Sequence, residues 1–171
     1  MSLLSIAEVE ATVKHVAARL GEPTGLPTFG YTVDGGHPHV EVDGRGYHYV
    51  SVERGQEQRR DTTATLDELL YWIFRDATFG IAVAYELAHR VAGQDFRRIL
   101  FARQVELISR LDPRWRERCA AEQQEVLRKH PFDDVSDVRA SFCVELRRQG
   151  HDDAAAWAMA CERYPLPPAE G

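Results

Sequence analysis

TLDELLYWIF, residues 65–74, admits two readings. Its apolar run Leu69–Phe74 has the length and bulk of a buried strand, and hydropathy alone does not separate a buried strand from a buried turn of helix. Thr65 stands three residues ahead of Glu68, the capping-box spacing in which two side chains satisfy orphan backbone donors at a helix start, so the stretch reads as helix. The helical pattern then continues almost to the end of the chain. Asp76 can cap a further helix through Ile81, Val83, Tyr85, Leu87 and Val91 to Gly93, and Asp95 can cap the next, through Ile99, Leu100, Leu107 and Leu111. Asp112-Pro113 supplies an N-cap and an N1 proline for a helix through Trp115 and Val126, which His130-Pro131 stops. Ser136 opens another, closed by Gly150. Asp153 opens the last, running through Trp157 to Tyr164 before Pro165, Pro167 and Pro168.

Upstream, Ser5 and Glu8 form another capping-box pair, and Ile6, Val9, Val13, Val16 and Leu20 recur at helical spacing, which predicts a helix over 6–20 ended by Gly21. Residues 21–30 are rich in Gly and Pro and read as a loop. From 31 to 53 the period changes to two, with Val40 and Val42 alternating against His39 and Glu41, and Asp43-Gly44 marks a hairpin turn. A two-residue loop aligns these valines with Tyr47 and Tyr49; a three-residue loop aligns them with Val50 and Val52. Residues 54–61, with Arg54, Glu57, Arg59, Arg60 and Asp61, read as a charged, solvated connector. The expected fold class is α+β: an N-terminal helix and a β-hairpin or small antiparallel sheet packed on a predominantly α-helical C-terminal bundle. One domain over 1–171 is expected, with a 6–20 helix, a 31–53 β-hairpin region and a 66–164 helical region.

Composition fits a folded domain, with 44% hydrophobic and 28% charged residues. No apolar run approaches a membrane span, and Glu8 and Glu10 occupy the place where a signal peptide needs a basic start and an apolar middle, so a cytoplasmic chain is expected. Cys119, Cys143 and Cys161 are odd in number and make no CxxC pair, which predicts buried free thiols. A net charge of −6 disfavours approach to a polyanion and suits a basic partner.

Three constellations could carry chemistry. A two-residue hairpin loop sets His39 opposite His48 with His37 on the same face, a possible zinc or copper site that lacks a completing carboxylate or cysteine. Glu86-x-x-His89 is half of a di-iron bundle signature, but no second ExxH and no HExxH accompanies it. The favoured reading is a buried Glu86–His89–Arg90 network, with Glu86 paired to Arg90, Arg97 or Arg98. Arginines from Arg97 to Arg118 interleave with Glu106, Asp112, Glu117 and Glu122, a pattern of ion-paired helices rather than a nucleic-acid footprint. No nucleophile elbow, P-loop or dinucleotide fingerprint appears, so no enzyme and no cofactor is expected.

The succession LDELLYWIF, YELAHR, GQDFRRILFARQVELISRL, WRER and HPFDD between Leu66 and Asp134 resembles the immunity protein 63 family of bacterial polymorphic toxin systems. The motif is carried by Trp72, Tyr85, Glu86, His89, Arg90, Asp95, Arg98, Gln104, Trp115 and Arg118, most of them expected to hold the bundle together. The resemblance implies a cytoplasmic antidote that binds and neutralises the toxic C-terminal domain of a secreted effector, without catalysis, cofactor, membrane or nucleic acid. It carries over neither the toxin's activity nor a set of contact residues. A protein-interaction module unrelated to toxins, or a metal-binding protein using Glu86 and His89 or the hairpin histidines, are the alternatives.

Overall fold

A computed structural model describes residues 3–168; residues 1–2 and 169–171, the ends of the expected 1–171 domain, lie outside the described residues. The architecture is α+β: an N-terminal helix, a small mixed sheet of four strands, then five helices. Helix α1, Ile6–Ala17, begins at a reciprocal capping box between Ser5 and Glu8 and runs into a 3₁₀ turn, Ala18–Leu20. Strands β1 (Thr28–Phe29), β2 (Pro38–Asp43), β3 (Gly46–Glu53) and β4 (Gln56–Thr63) lie side by side in chain order.

The β2–β3 loop has two residues, so Val40 faces Tyr49 and Val42 faces Tyr47. Val40, Tyr47 and Tyr49 are buried against Val9 and Val13 of α1 and against the helix that follows the sheet. Gly46 makes the turn possible: at φ 142° a Cβ there would stand 2.4 Å from the Thr63 carbonyl oxygen.

The sheet departs from sequence expectation in two places. Residues 54–61 are not a solvated connector. Arg54 and Gly55, at φ 52° and 71°, form a two-residue turn in the left-handed region, and β4 pairs antiparallel with β3. No apolar alternation marks β4 because it is an edge strand built of polar side chains; the Arg59 guanidinium lies 5.1 Å over the Tyr49 ring and its stem replaces a hydrophobic residue there. The sheet is also mixed rather than antiparallel, since β1, inside the expected loop, pairs parallel with β2.

Helix α2 spans Leu66–Ala88 without a break. Thr65 is its N-cap residue but makes no side-chain cap, its hydroxyl meeting Thr63 instead, while Glu68 pairs with Arg118. Asp76 caps nothing. It accepts from Arg59 of β4 and from Arg75, and nothing in the α2 backbone stops the helix there. Helices α3 (Arg97–Ser109) and α4 (Pro113–Lys129) follow, the latter capped by Asp112 with Pro113 in its first turn. Leu69, Tyr71, Ile73 and Phe74 of α2, Leu107 and Ile108 of α3 and Trp115 of α4 complete the main core, with Trp115 stacked on Phe74 at 6.0 Å.

Helices α5 (Ser136–Arg148) and α6 (Asp153–Arg163) pack on each other around Cys143, Leu146, Ala156 and Ala160, a cluster separate from the main core. The α6 cap is Asp152, one residue before the expected Asp153. Ion pairs and hydrogen bonds join this hairpin to the helices before it. Asp95 accepts from the Asp133 amide, Asp134 accepts from the Asp95 amide and from Arg98, and Arg97 donates to the His130 and Pro131 carbonyls. The cysteines are free; Cys119 and Cys143 are buried, and Cys161 is only half-buried because it flanks the small α5–α6 core.

Candidate functional site

The second half of α2 leaves apolar surface uncovered, as do Val138 and Val144 of α5 and Trp157 and Met159 of α6. Ala82 and Thr78 point inward and are fully buried. On the outer face Phe79 (44% exposed), half-buried Val83 and Leu87 (63% exposed) recur at i, i+4, i+8, and Val91 (49% exposed) follows just past the helix end. Beside this ridge Gly80, Ala84 and Ala88 form a parallel row of small, exposed residues. A ridge of large residues next to a row of small ones is the relief that packs against another element. Scattered exposed apolar residues need no explanation; Phe79, Val83 and Leu87 in register on one helix face, continued by Val91 past its end, do.

Two clefts border the ridge. One, of about 430 Å³, lies between α2 and the segment after α1, lined by Pro23, Ala77, Ile81 and Tyr85 with Glu22 and Asp76 as its carboxylates. The other, of about 320 Å³, opens between α2 and α4 over α3, walled by Phe79, Phe101 and Val126 with Cys119 below. It exists because α4 packs on α2 near its own start, where Trp115 meets Phe74 and Arg118 meets Glu68, while Val126 further along remains exposed. Burial, with a contribution from Glu122, pushes the Cys119 thiol up to about 11, so it is a wall and not a nucleophile at neutral pH.

The motif residues do not converge on one site. Glu86 is buried and grips Arg90 through two hydrogen bonds of 2.7 and 2.8 Å, and Arg90 holds its carboxyl below the ordinary range. His89 is not on that face. It ends the helix, stacks on Tyr85 at 4.0 Å and meets the Tyr85 carbonyl, so the two residues of the expected ligand pair diverge. Asp95 and Arg98 belong to the contacts that hold the α5–α6 hairpin. Gln104 donates to the Arg75 carbonyl and accepts from Gln123, tying three helices. Trp72 packs half-buried at the core, Trp115 within it, and Arg118 lies 3.8 Å over the Tyr71 ring.

The hairpin histidines are separated as well. His48 faces Glu41 and His39 faces Val50 across the β2–β3 ladder, so the expected His39–His48 juxtaposition does not form. Each is buried with a carboxylate partner: His39 with Glu41 at 3.0 Å, His48 with Asp43 at 2.9 Å and Thr62 at 2.8 Å. Among the described residues no group of three or more His, Cys, Asp or Glu side chains could hold a metal ion, and no helix is long and apolar enough to cross a membrane.

β3, β4, α2, α3 and the part of α4 that frames the clefts form one continuous stretch of chain. Residues 43–125 match the model of the family Immunity protein 63. That is the family the sequence resembles. The matched segment, just short of half the chain, contains the whole α2 ridge and most of both cleft linings, and leaves α1 and the α5–α6 hairpin outside. No curated protein and no solved structure matches the chain. The Immunity protein 63 match points to an immunity role, and families of this kind are generally not enzymes.

The ridge was missed at the sequence level. Its signal, Phe79, Val83, Leu87 and Val91 at a spacing of four, is present, but such a spacing marks an apolar face without saying whether another element covers it.

Proposed function

We propose that this chain is an immunity protein that binds the toxic domain of a cognate secreted polymorphic toxin in the cytoplasm and neutralises it by occupying its active site or substrate groove. The family match over 43–125 supports the role, and the uncovered ridge of α2 inside that match is the observation that carries the docking site. Leu87 and Phe79 are the anchors, and Asp76, Glu122 and Gln123 form a polar rim beside Phe79. A net charge of −6 steers the chain towards a basic toxin.

Co-expression of this chain with the toxic domain of a polymorphic toxin encoded beside it tests the reading. Wild-type chain is expected to restore growth, and Leu87→Asp to lose that protection while melting at the wild-type temperature, because Leu87 is exposed. Full protection by Leu87→Asp removes the ridge from the interface; absence of protection by the wild-type chain removes the immunity function.

A further inference from the structure

We propose that the cleft between α2 and α4 receives one arginine side chain of the partner. This rests on the proposed function and names the residue type that the site selects. Phe79, Phe101 and Val126 offer apolar walls for the stem and face of a guanidinium, and the two phenyl rings favour a cation lying over them. The polar atoms beside those walls are mainly acceptors with capacity to spare. Glu122 takes Arg118 on one oxygen at 3.2 Å, while its other oxygen stands 3.9 Å from Arg75, too far for a hydrogen bond. Gln123 donates through its amide nitrogen to Gln104, and its amide oxygen has no partner among the described residues.

Charge agrees with the acceptor count. Asp61, Glu68, Asp76 and Glu122 form an ion-pair network with Arg59, Arg75 and Arg118 around the cleft, four carboxylates against three guanidinium groups. A cation therefore enters a site with one carboxylate in excess, walled by low-dielectric side chains that strengthen the attraction. A guanidinium carries five donors in a flat fork, so it can meet a carboxylate and an amide oxygen together, which an ammonium does less well.

The test uses isotope-labelled full chain and three capped amino acids as probes: N-acetyl-arginine amide, its neutral citrulline counterpart, and N-acetyl-tryptophan amide, each followed by NMR. The arginine probe is expected to shift the Gln104 and Gln123 side-chain amides and the backbone from Cys119 to Val126, saturating at millimolar concentration. Citrulline is expected to bind about tenfold more weakly, the loss of one charge-assisted hydrogen bond, as is arginine to Glu122→Gln. If that variant loses its fold, the citrulline comparison on the wild type still decides. Equal binding of citrulline and arginine, tighter binding of tryptophan, or shifts located elsewhere overturn the proposal. A toxic domain that binds Glu122→Gln as tightly as wild type sinks this inference alone; arginine binding in a chain that no toxic domain recognises sinks the immunity reading alone.

Discussion

Arg139→Met removes a guanidinium and keeps most of the stem that surrounds it. Arg139 is 2% exposed and its three nitrogens make four hydrogen bonds: two to Asp133 at 2.6 and 2.9 Å, one to the Tyr164 carbonyl at 2.7 Å and one to the Pro165 carbonyl at 3.1 Å. It thus ties the segment before α5 to the segment after α6. Stranding a buried partner of an ion pair costs about 3–5 kcal/mol, but the Asp133 side chain is 15% exposed and can recover water, so about 2–3 kcal/mol is expected here. The loss should be local. The α5–α6 core of Cys143, Leu146, Ala156 and Ala160 is separate from the main core, so the hairpin can open while α2, α3 and α4 stay packed. Hydrogen exchange followed by mass spectrometry should then show amides of residues 136–163 exchanging roughly 30- to 100-fold faster, with those of 66–111 unchanged. Faster exchange throughout the chain would refute the separation of the two cores, and unchanged exchange in the hairpin would refute the structural weight given to Arg139.

Other consequences are open to simple assays. Gly46→Ala forces a Cβ to within 2.4 Å of the Thr63 carbonyl at a φ that L residues avoid, so thermal melting should report a loss of about 2 kcal/mol or more. The contacts that hold the hairpin should fail in acid. Arg139 holds Asp133 below the ordinary carboxylate range, and Arg98, with the Asp95 amide, draws Asp134 down to about 2. Burial opposes ionisation of Asp95, but hydrogen bonds from Arg97 and the Asp133 and Arg97 amides outweigh it and leave its pKa lowered. Because the folded values are depressed, the stabilisation is complete above pH 4 and is lost as pH falls towards 2, so hairpin amides should lose protection in that window first. Alkylation at pH 8, read by mass spectrometry, should modify half-buried Cys161 before buried Cys143 and Cys119.

How far the fold could be read from the sequence varies with how local each signal is. The Ser5–Glu8 box and the Asp112-Pro113 start use side chains within three residues of the backbone they cap, and both form as the spacing predicts. Thr65 and Asp76 have the same local chemistry yet cap nothing: the Thr65 hydroxyl turns back to Thr63, and Asp76 is taken by Arg59, which the sheet brings beside it. Strand β4 is invisible to hydropathy for a related reason: it is held by main-chain pairing to β3 and by an arginine stem on Tyr49. Glu86 is the converse case, where a carboxylate amid Ala82, Val83 and Leu87 made an arginine partner at i+4 foreseeable. Which face of α2 stays bare depends on where α4 diverges from it, and no local pattern encodes that divergence.

The decisive measurement is the affinity of the purified chain for its cognate toxic domain, by isothermal titration, for wild type and Leu87→Asp side by side. One-to-one binding by the wild type, with affinity reduced by at least about 100-fold in a variant of unchanged melting temperature, is the expected result for a central interface anchor. Equal affinity of the two chains would contradict docking on the α2 ridge, and no binding by the wild type would contradict the immunity function itself.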